Sequence, residues 1–321
     1  MANASITPTP TLLNHRYQIV RILEDGPWSI AWLAEDTQLP SRRPCIIRQV
    51  KPLTTDAYIQ KQLCDRLQSE IDTWQKLGGI HDQIPWLSSF VDTTGQMYLV
   101  EEWVPGLTLT QTVQEQGALD EDTVQHILTK ILTLVDYLHK NQVVHCALEP
   151  NNIVLREEDQ KPVLQYGGLL NQVIANTLLE NDIRPIPWIP ISGFLPHEQV
   201  ILDQHYYSSN LYSLGLIGIY LITGQTPYDL FNLDTGIGDW HEAAFAEDSA
   251  FVAILNKAIA RFPGERFLTA RQMLKALAAP GQFVQESLLA HSTLMAQMGA
   301  YLNSCLLSLN PSEPSLHSYS G

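Results

Sequence analysis

The 321-residue chain carries 34 acidic and 19 basic residues, a formal net charge of −15. That length suits one large two-lobed domain or two ordinary ones with a sizeable core. The acidic balance argues against nucleic acid or anionic membranes as partners, because their phosphates are bound by clustered Lys and Arg.

Four scattered cysteines, Cys45, Cys64, Cys146 and Cys305, have neither the CxxC spacing of a zinc site nor the density of a disulfide framework. A reducing cytoplasm is therefore the expected location. The longest apolar run, "LGLIGIYLITG", is too short to span a bilayer, and the N-terminus lacks the basic start and apolar core of a signal peptide.

Residues 1–14, small and rich in Pro and Thr, are expected to be disordered. The stretches "RYQIVRILED", "SIAWLAED" and "RRPCIIRQV" then alternate and carry β-branched residues, predicting three successive antiparallel strands. "AYIQKQLCDRLQSEIDTWQKLGG" spaces its apolar residues as a helix and stops at Gly78 and Gly79, after which "GQMYLVEEWV" returns to strand character. These elements make a sheet-rich lobe over residues 15–104. From 105 to 279 the pattern is helical: "LDEDTVQHILTKILTLVDYLHKN" is amphipathic, and "SNLYSLGLIGIYLITG" is apolar all round, as a helix inside a lobe would be. A further amphipathic helix is expected within 280–308, with Val284, Leu288, Met295, Met298 and Leu302 on one stripe, before a disordered tail over 309–321.

Nine short motifs occur in a telling order. They are "LEDGPWSIAWLAED", "CIIRQV", Glu70, "YLVEEWVPG", "HCALEPNN", "LQYGG", "GFLPHEQ", "SNLYSLG" and "FPGERF". In this order and spacing the chain resembles the bacterial Hanks-type Ser/Thr protein kinases from about Arg16 to about Ala279. The resemblance implies an α+β, two-lobed protein-kinase-like fold with a sheet-rich N-lobe and a helical C-lobe. It also implies an ATP cleft between the lobes, edged by Gly26, Arg48, Glu70, Glu102, Val104 and Asn152.

Kinases transfer phosphate by holding Mg²⁺ and the phosphates and by orienting an acceptor hydroxyl near a carboxylate. The resemblance sets Ala147 at the place of that carboxylate and Glu149 at the place of the Lys that neutralises the transferred group. Tyr166 falls on the chelating Asp of the Asp-Phe-Gly motif and Gly167 on its Phe. Glu24 and Ser29 replace the outer glycines of the phosphate loop, leaving Gly26, with Pro27 and Trp28 at its tip. Arg48 replaces the strand-borne Lys and is expected to pair with Glu70. Asn152 persists as a vestigial metal ligand, but one neutral carbonyl oxygen cannot hold a hard dication.

Other matches imply architecture. His145 is expected to pack in the core, Glu198 and Arg266 to lock the activation segment onto the C-lobe, and Asn210 to brace the catalytic loop in place of an Asp. Cys146 is expected to be a small buried residue, and Trp74, one turn beyond Glu70, to fill the space left by Gly167. Trp188 and its apolar neighbours in "IRPIPWIPI" are expected to pack on the C-lobe.

The expected function is that of a pseudokinase, a scaffold or allosteric regulator in cytoplasmic signalling. Its partner would be a protein, such as an active kinase or another signalling protein, with no nucleic acid and no membrane span. No cofactor is predicted, ATP without Mg²⁺ being the reserve reading. The alternatives are a weakly active Ser/Thr kinase with Glu149 as hydroxyl acceptor, and a nucleotide or small-ligand sensor without turnover.

Overall fold

The computed structural model describes residues 12–78, 80–183, 193–202, 204–230, 240, 249–289 and 292. Strands β1 (Leu12–Leu13), β2 (Tyr17–Asp25), β3 (Ser29–Asp36), β4 (Pro44–Val50), β5 (Leu87–Val91) and β6 (Met97–Glu102) form one antiparallel sheet in the order β1-β2-β3-β4-β6-β5. Leu12 and Leu13 pair with Gln18 and Tyr17, so ordered structure begins inside the stretch read as disordered. The first hairpin is tied at its open end, where Arg16 donates to both carboxylate oxygens of Asp36 at 2.8 and 2.6 Å. That hydrogen-bonded cation holds the Asp36 carboxyl below the usual carboxylate range.

Helix α1 (Ala57–Gly78) crosses the sheet on the stripe Ile59, Leu63, Leu67, Ile71, Trp74 and Leu77, the three- and four-residue spacing of one helical face. The chain then passes from β6 through Trp103, Val104 and Pro105 into β7 (Gly106–Thr108), which pairs with β8 (Ile153–Arg156) and through it with β9 (Pro162–Leu164).

Two long helices centre the second lobe. Helix α2 (Leu109–Gln116) opens on a capping box between Thr108 and Gln111. Helix α3 (Glu121–Lys140) is capped by Asp120 and ends in Lys140, whose charge matches the helix dipole. It buries Val124, Leu128, Ile131, Leu132, Val135 and Leu138. Helix α6 (Tyr207–Thr223) is buried nearly all round, as its composition predicts. Around them lie α4 (Gly167–Glu180), α5 (His197–Leu202), α7 (Pro227–Leu230), α8 (Ala250–Ala258) and α9 (Ala270–Ala278). The two-lobed α+β expectation holds.

Two segments depart from, or outrun, the sequence reading. The start of the presumed activation segment is the 14-residue helix α4, because Leu169, Leu170, Ile174, Ala175 and Leu178 share a buried face and no proline interrupts them. Trp188 lies outside the described residues. So do Met295, Met298, Leu302 and the tail, whereas residues 280–289 are helical, with Phe283 against Phe267 at 5.6 Å and Leu288 exposed. Among the described residues no helix is long and apolar enough to cross a membrane.

Gly106 enters β7 at φ +147°, and a Cβ there would sit 2.0 Å from the Leu155 carbonyl oxygen. Since that neighbour is backbone and cannot step aside, Gly106→Ala is expected to destabilise the chain by about 3 kcal/mol. A urea midpoint unchanged from wild type would show the strand entry to be more pliant than its geometry.

Candidate functional site

Antiparallel pairing sets the chemistry of the cleft. Glu24 lies opposite Ala31, Ala31 opposite Arg48, and Arg48 opposite Leu99, so one row of side chains runs across four strands. Such a row shares one face of the sheet. Ala31 contributes only a methyl group, and beyond it Arg48 Nη1 meets Glu24 Oε2 at 3.2 Å. Towards the next strand Arg48 Nη2 lies 3.9 Å from Oε1 of Glu101, two residues past Leu99 and therefore on the same face.

The expected Arg48–Glu70 pair is not formed; among the described ion pairs Arg48 meets Glu24 and Glu101 instead. The physical reason is α4. Its Leu169, Leu170 and Val173 line, together with Glu70, Leu67 and Trp74, the small cavity between α4 and α1. Burial there pushes the Glu70 carboxyl up, with the Trp74 indole acting the other way. Helix α4 is clasped to α1 by Arg66, which donates to both oxygens of Glu180, and by Asn181 donating to Gln62 at 2.8 Å.

Glu101 was not singled out by sequence reasoning, and it is the most consequential residue missed. It is 2 % exposed, and its Oε2 accepts the Tyr166 backbone N–H at 3.3 Å. Burial raises the carboxyl's pKa, opposed by Arg48 and by that N–H. The available signal was a Glu closing an apolar run, "MYLVE", in a strand whose first five residues are all buried.

Gly26 donates to the Ser29 carbonyl at 3.0 Å, closing the turn between β2 and β3. Lys51 fastens this turn, its Nζ donating to Gly26 O at 2.6 Å and to Asp25 at 2.7 Å. Trp28 at the tip is buried in the main core. Of the residues expected to edge the cleft, Glu102 accepts from Trp86 N–H at 3.4 Å, and Val104 packs with Val154 and Val163.

In the loop 145–152, Ala147 is buried and Glu149 Oε1 accepts from Asn152 Nδ2 at 2.9 Å, the same amide donating to Ala147 O at 3.1 Å. Asn152 is thus turned inward onto its own loop. Gly168 lies so close that a Cβ would fall 2.0 Å from Asn152 Nδ2, which leaves no room for a side chain at the start of α4. Cys146 is half-buried rather than buried, its Sγ 3.6 Å from His205 Nδ1 and its carbonyl bonded by Gln199. The sequence could not join Cys146 to His205, 59 residues away.

Tyr166, which the resemblance set at the chelating position, is buried in the core. Its ring is 3 % exposed, edge-on to Trp74 at 5.4 Å, and its hydroxyl donates to Pro85 O at 2.9 Å. Burial pushes its phenol far above the usual range. Trp74, 1 % exposed, stands edge-on to His145 as well, so His145, Trp74 and Tyr166 form one stack between the lobes. The space over Gly167 is filled by Arg48, whose Nη2 lies 2.8 Å from where a Cβ would be, and not by Trp74.

His145 is fully enclosed. Its Nδ1 accepts from Ala147 N–H at 3.3 Å, which fixes the neutral, Nε2-protonated ring. Asn210 braces the same residue from α6, donating to His145 O at 2.6 Å and accepting from its N–H at 3.1 Å. The Asn210 oxygen also bonds His139 Nε2 at 3.0 Å. Glu198 and Arg266 form a buried two-pronged pair at 2.5 and 3.0 Å, joined by Ser209 Oγ at 2.9 Å. Burial pushes the Glu198 carboxyl up, but Arg266, a backbone N–H and Ser209 together outweigh it and the net shift is downward.

Burial lowers the pKa of His145 from 6.5 to about 4. The native state therefore binds this proton less readily than the unfolded chain, so stability is full above pH ~6.5 and falls as pH drops towards ~4. Wild type is expected to lose about 3 kcal/mol more than His145→Gln between pH ~7.5 and pH ~4, as read from urea unfolding. Equal losses would mean that the ring is not enclosed as described. Arg266→Ala, which strands the buried Glu198, is expected to cost about 3–5 kcal/mol, while removing both charges together costs less; a thermal melt of the single and double variants decides.

The family model for the protein kinase domain matches residues 45–246. Serine/threonine-protein kinase PknA of Nostoc sp. (strain PCC 7120) is 38% identical over 270 residues, 83% of this chain and 47% of the relative. Serine/threonine-protein kinase C of Synechocystis sp. (strain PCC 6803) is 35% identical over 276 residues, 85% of this chain and 51% of the relative. The chain thus spans about half the length of the curated relatives it matches. Among solved structures, the PpkA-294 apo form aligns with a TM-score of 0.66 at 21% identity, covering 84% of this chain and 98% of its own. The kinase domain of M. tuberculosis PknI aligns at 0.62 and 20%, covering 83% and 96%. By sequence match and by fold, the chain belongs to the protein kinase domain family.

Proposed function

We propose that this member of the family does not transfer phosphate and acts by binding a protein partner, an active kinase or another signalling protein. The observation that carries the reading is Arg48, the cation at the place of the phosphate-binding Lys, engaged by Glu24 and Glu101. Three further features support it. Ala147 offers no hydroxyl acceptor. Glu149 brings a negative charge where a transferred phosphoryl group needs a positive one, and like charges ~4 Å apart repel by roughly 4 kcal/mol at an effective dielectric near 20.

Third, with the Tyr166 ring in the core, the Asp-Phe-Gly motif is better read one residue earlier. Tyr166 then takes the place of the aromatic residue, and Gln165, whose N–H bonds Asn152 O at 2.8 Å, takes that of the chelating Asp. Either register leaves neutral groups to hold a dication, which hard cations bind poorly.

A second reading, a Ser/Thr kinase with displaced groups, is favoured by the names of the curated relatives and by Asn152, Glu198 and Arg266, which the resemblance sets at the family's own residue types. Incubation with γ-labelled ATP, Mg²⁺ and protein acceptors separates the two. No incorporation above a heat-killed control is expected; label transferred in a Mg²⁺-dependent way would establish the second reading and end the first.

A further inference from the structure

Glu101 has a role that neither the motifs nor the comparisons supply. Its carboxylate is buried on the inner face of the sheet, diagonally across from Arg48, and it draws the guanidinium along that face, over the backbone of Gly167. Glu24, 58 % exposed in its side chain, takes the opposite edge of the same guanidinium. Arg48 is left 11 % exposed, with its charge shared between two carboxylates. A ligand phosphate entering here meets a cation already paired, with the exposed Glu24 carboxylate beside it.

We propose that Glu101 is the residue that excludes nucleotide phosphates from this cleft, by sequestering Arg48, with Glu24 as the outer half of the same latch. Three features carry it. The strand register fixes both carboxylates and the cation on one face, so the arrangement does not depend on a flexible loop. Ala31, the residue between Glu24 and Arg48 in the row, carries nothing that would hold them apart. The absence of a side chain on Gly167 gives the guanidinium its resting place, since a Cβ there would clash with it.

This inference rests on the reading of the cleft as a vestigial nucleotide site, and it is tested by binding rather than turnover, so the labelled-ATP assay judges that reading separately. Equilibrium binding of ATP without metal, by calorimetry on the full chain, is compared among wild type, Glu101→Gln and Glu24→Gln, with adenosine as the ligand that carries no phosphate. Glu101→Gln is expected to bind ATP at least about tenfold more tightly than wild type, Glu24→Gln to gain less, and adenosine to bind all three alike. If neither variant binds ATP better than wild type, or if adenosine gains as much as ATP, the proposal is wrong. Should Glu101→Gln fail to fold, the exposed Glu24→Gln decides alone: a gain for ATP and none for adenosine upholds the latch, and no gain overturns it.

Discussion

The guanidinium of Arg48, held between Glu24 and Glu101, is the interaction on which the cleft depends. A buried cation must be compensated, and the carboxylate that compensates it determines what lies around it. Because Glu101 supplies the inner partner, α1 is under no requirement to bring Glu70 to the sheet. Glu70 can then face the apolar side chains of α4, and α4 can pack against α1. Arg48 also covers Gly167, which sets the first residue of α4 directly beneath the sheet. Strand register sets this ion pair, and the positions of α1 and α4 and of the loop after β9 agree with it.

The second organising feature is the stack of His145, Trp74 and Tyr166. Each ring comes from a different part of the chain: the loop before β8, helix α1 and the residue before α4. Edge-on aromatic contacts of this kind add roughly 0.5–1.5 kcal/mol each beyond burial. Asn210 anchors one end by gripping both backbone groups of His145, and Pro85 O anchors the other through the Tyr166 hydroxyl. The lobes are therefore joined by an edge-on aromatic column hydrogen-bonded at its two ends, which leaves less freedom for sliding than a contact of aliphatic side chains.

The fold was legible because its signals are periodic. Strand alternation, the α1 stripe and the all-round apolar α6 each arise from burial, which sequence records directly. The α4 helix falls within the stretch read as helical, but its individual boundaries were not picked out, although its apolar spacing was present. The site was legible in identity and not in geometry. Arg48, Asn152, Glu198 and Arg266 could be picked out by their neighbours in sequence. Whether Arg48 reached Glu70 or Glu101 depended on a diagonal contact between strands, and no one-dimensional pattern encodes it. The register around Tyr166 was open for a related reason. An aromatic, a glycine and a second glycine in succession allow two registers, and only the direction of the ring tells them apart.

Helix α4 has a mechanical consequence. Its first turn is packed so tightly on Asn152 that no Cβ fits between them, and its last residue, Glu180, is clasped by Arg66 of α1. Fourteen residues at about 1.5 Å each make a strut of roughly 21 Å. Such a strut transmits displacement but cannot absorb it. The loop around Asn152 and the middle of α1, where Arg66 lies, are thereby coupled as the two ends of one rigid rod, and neither can shift appreciably without the other.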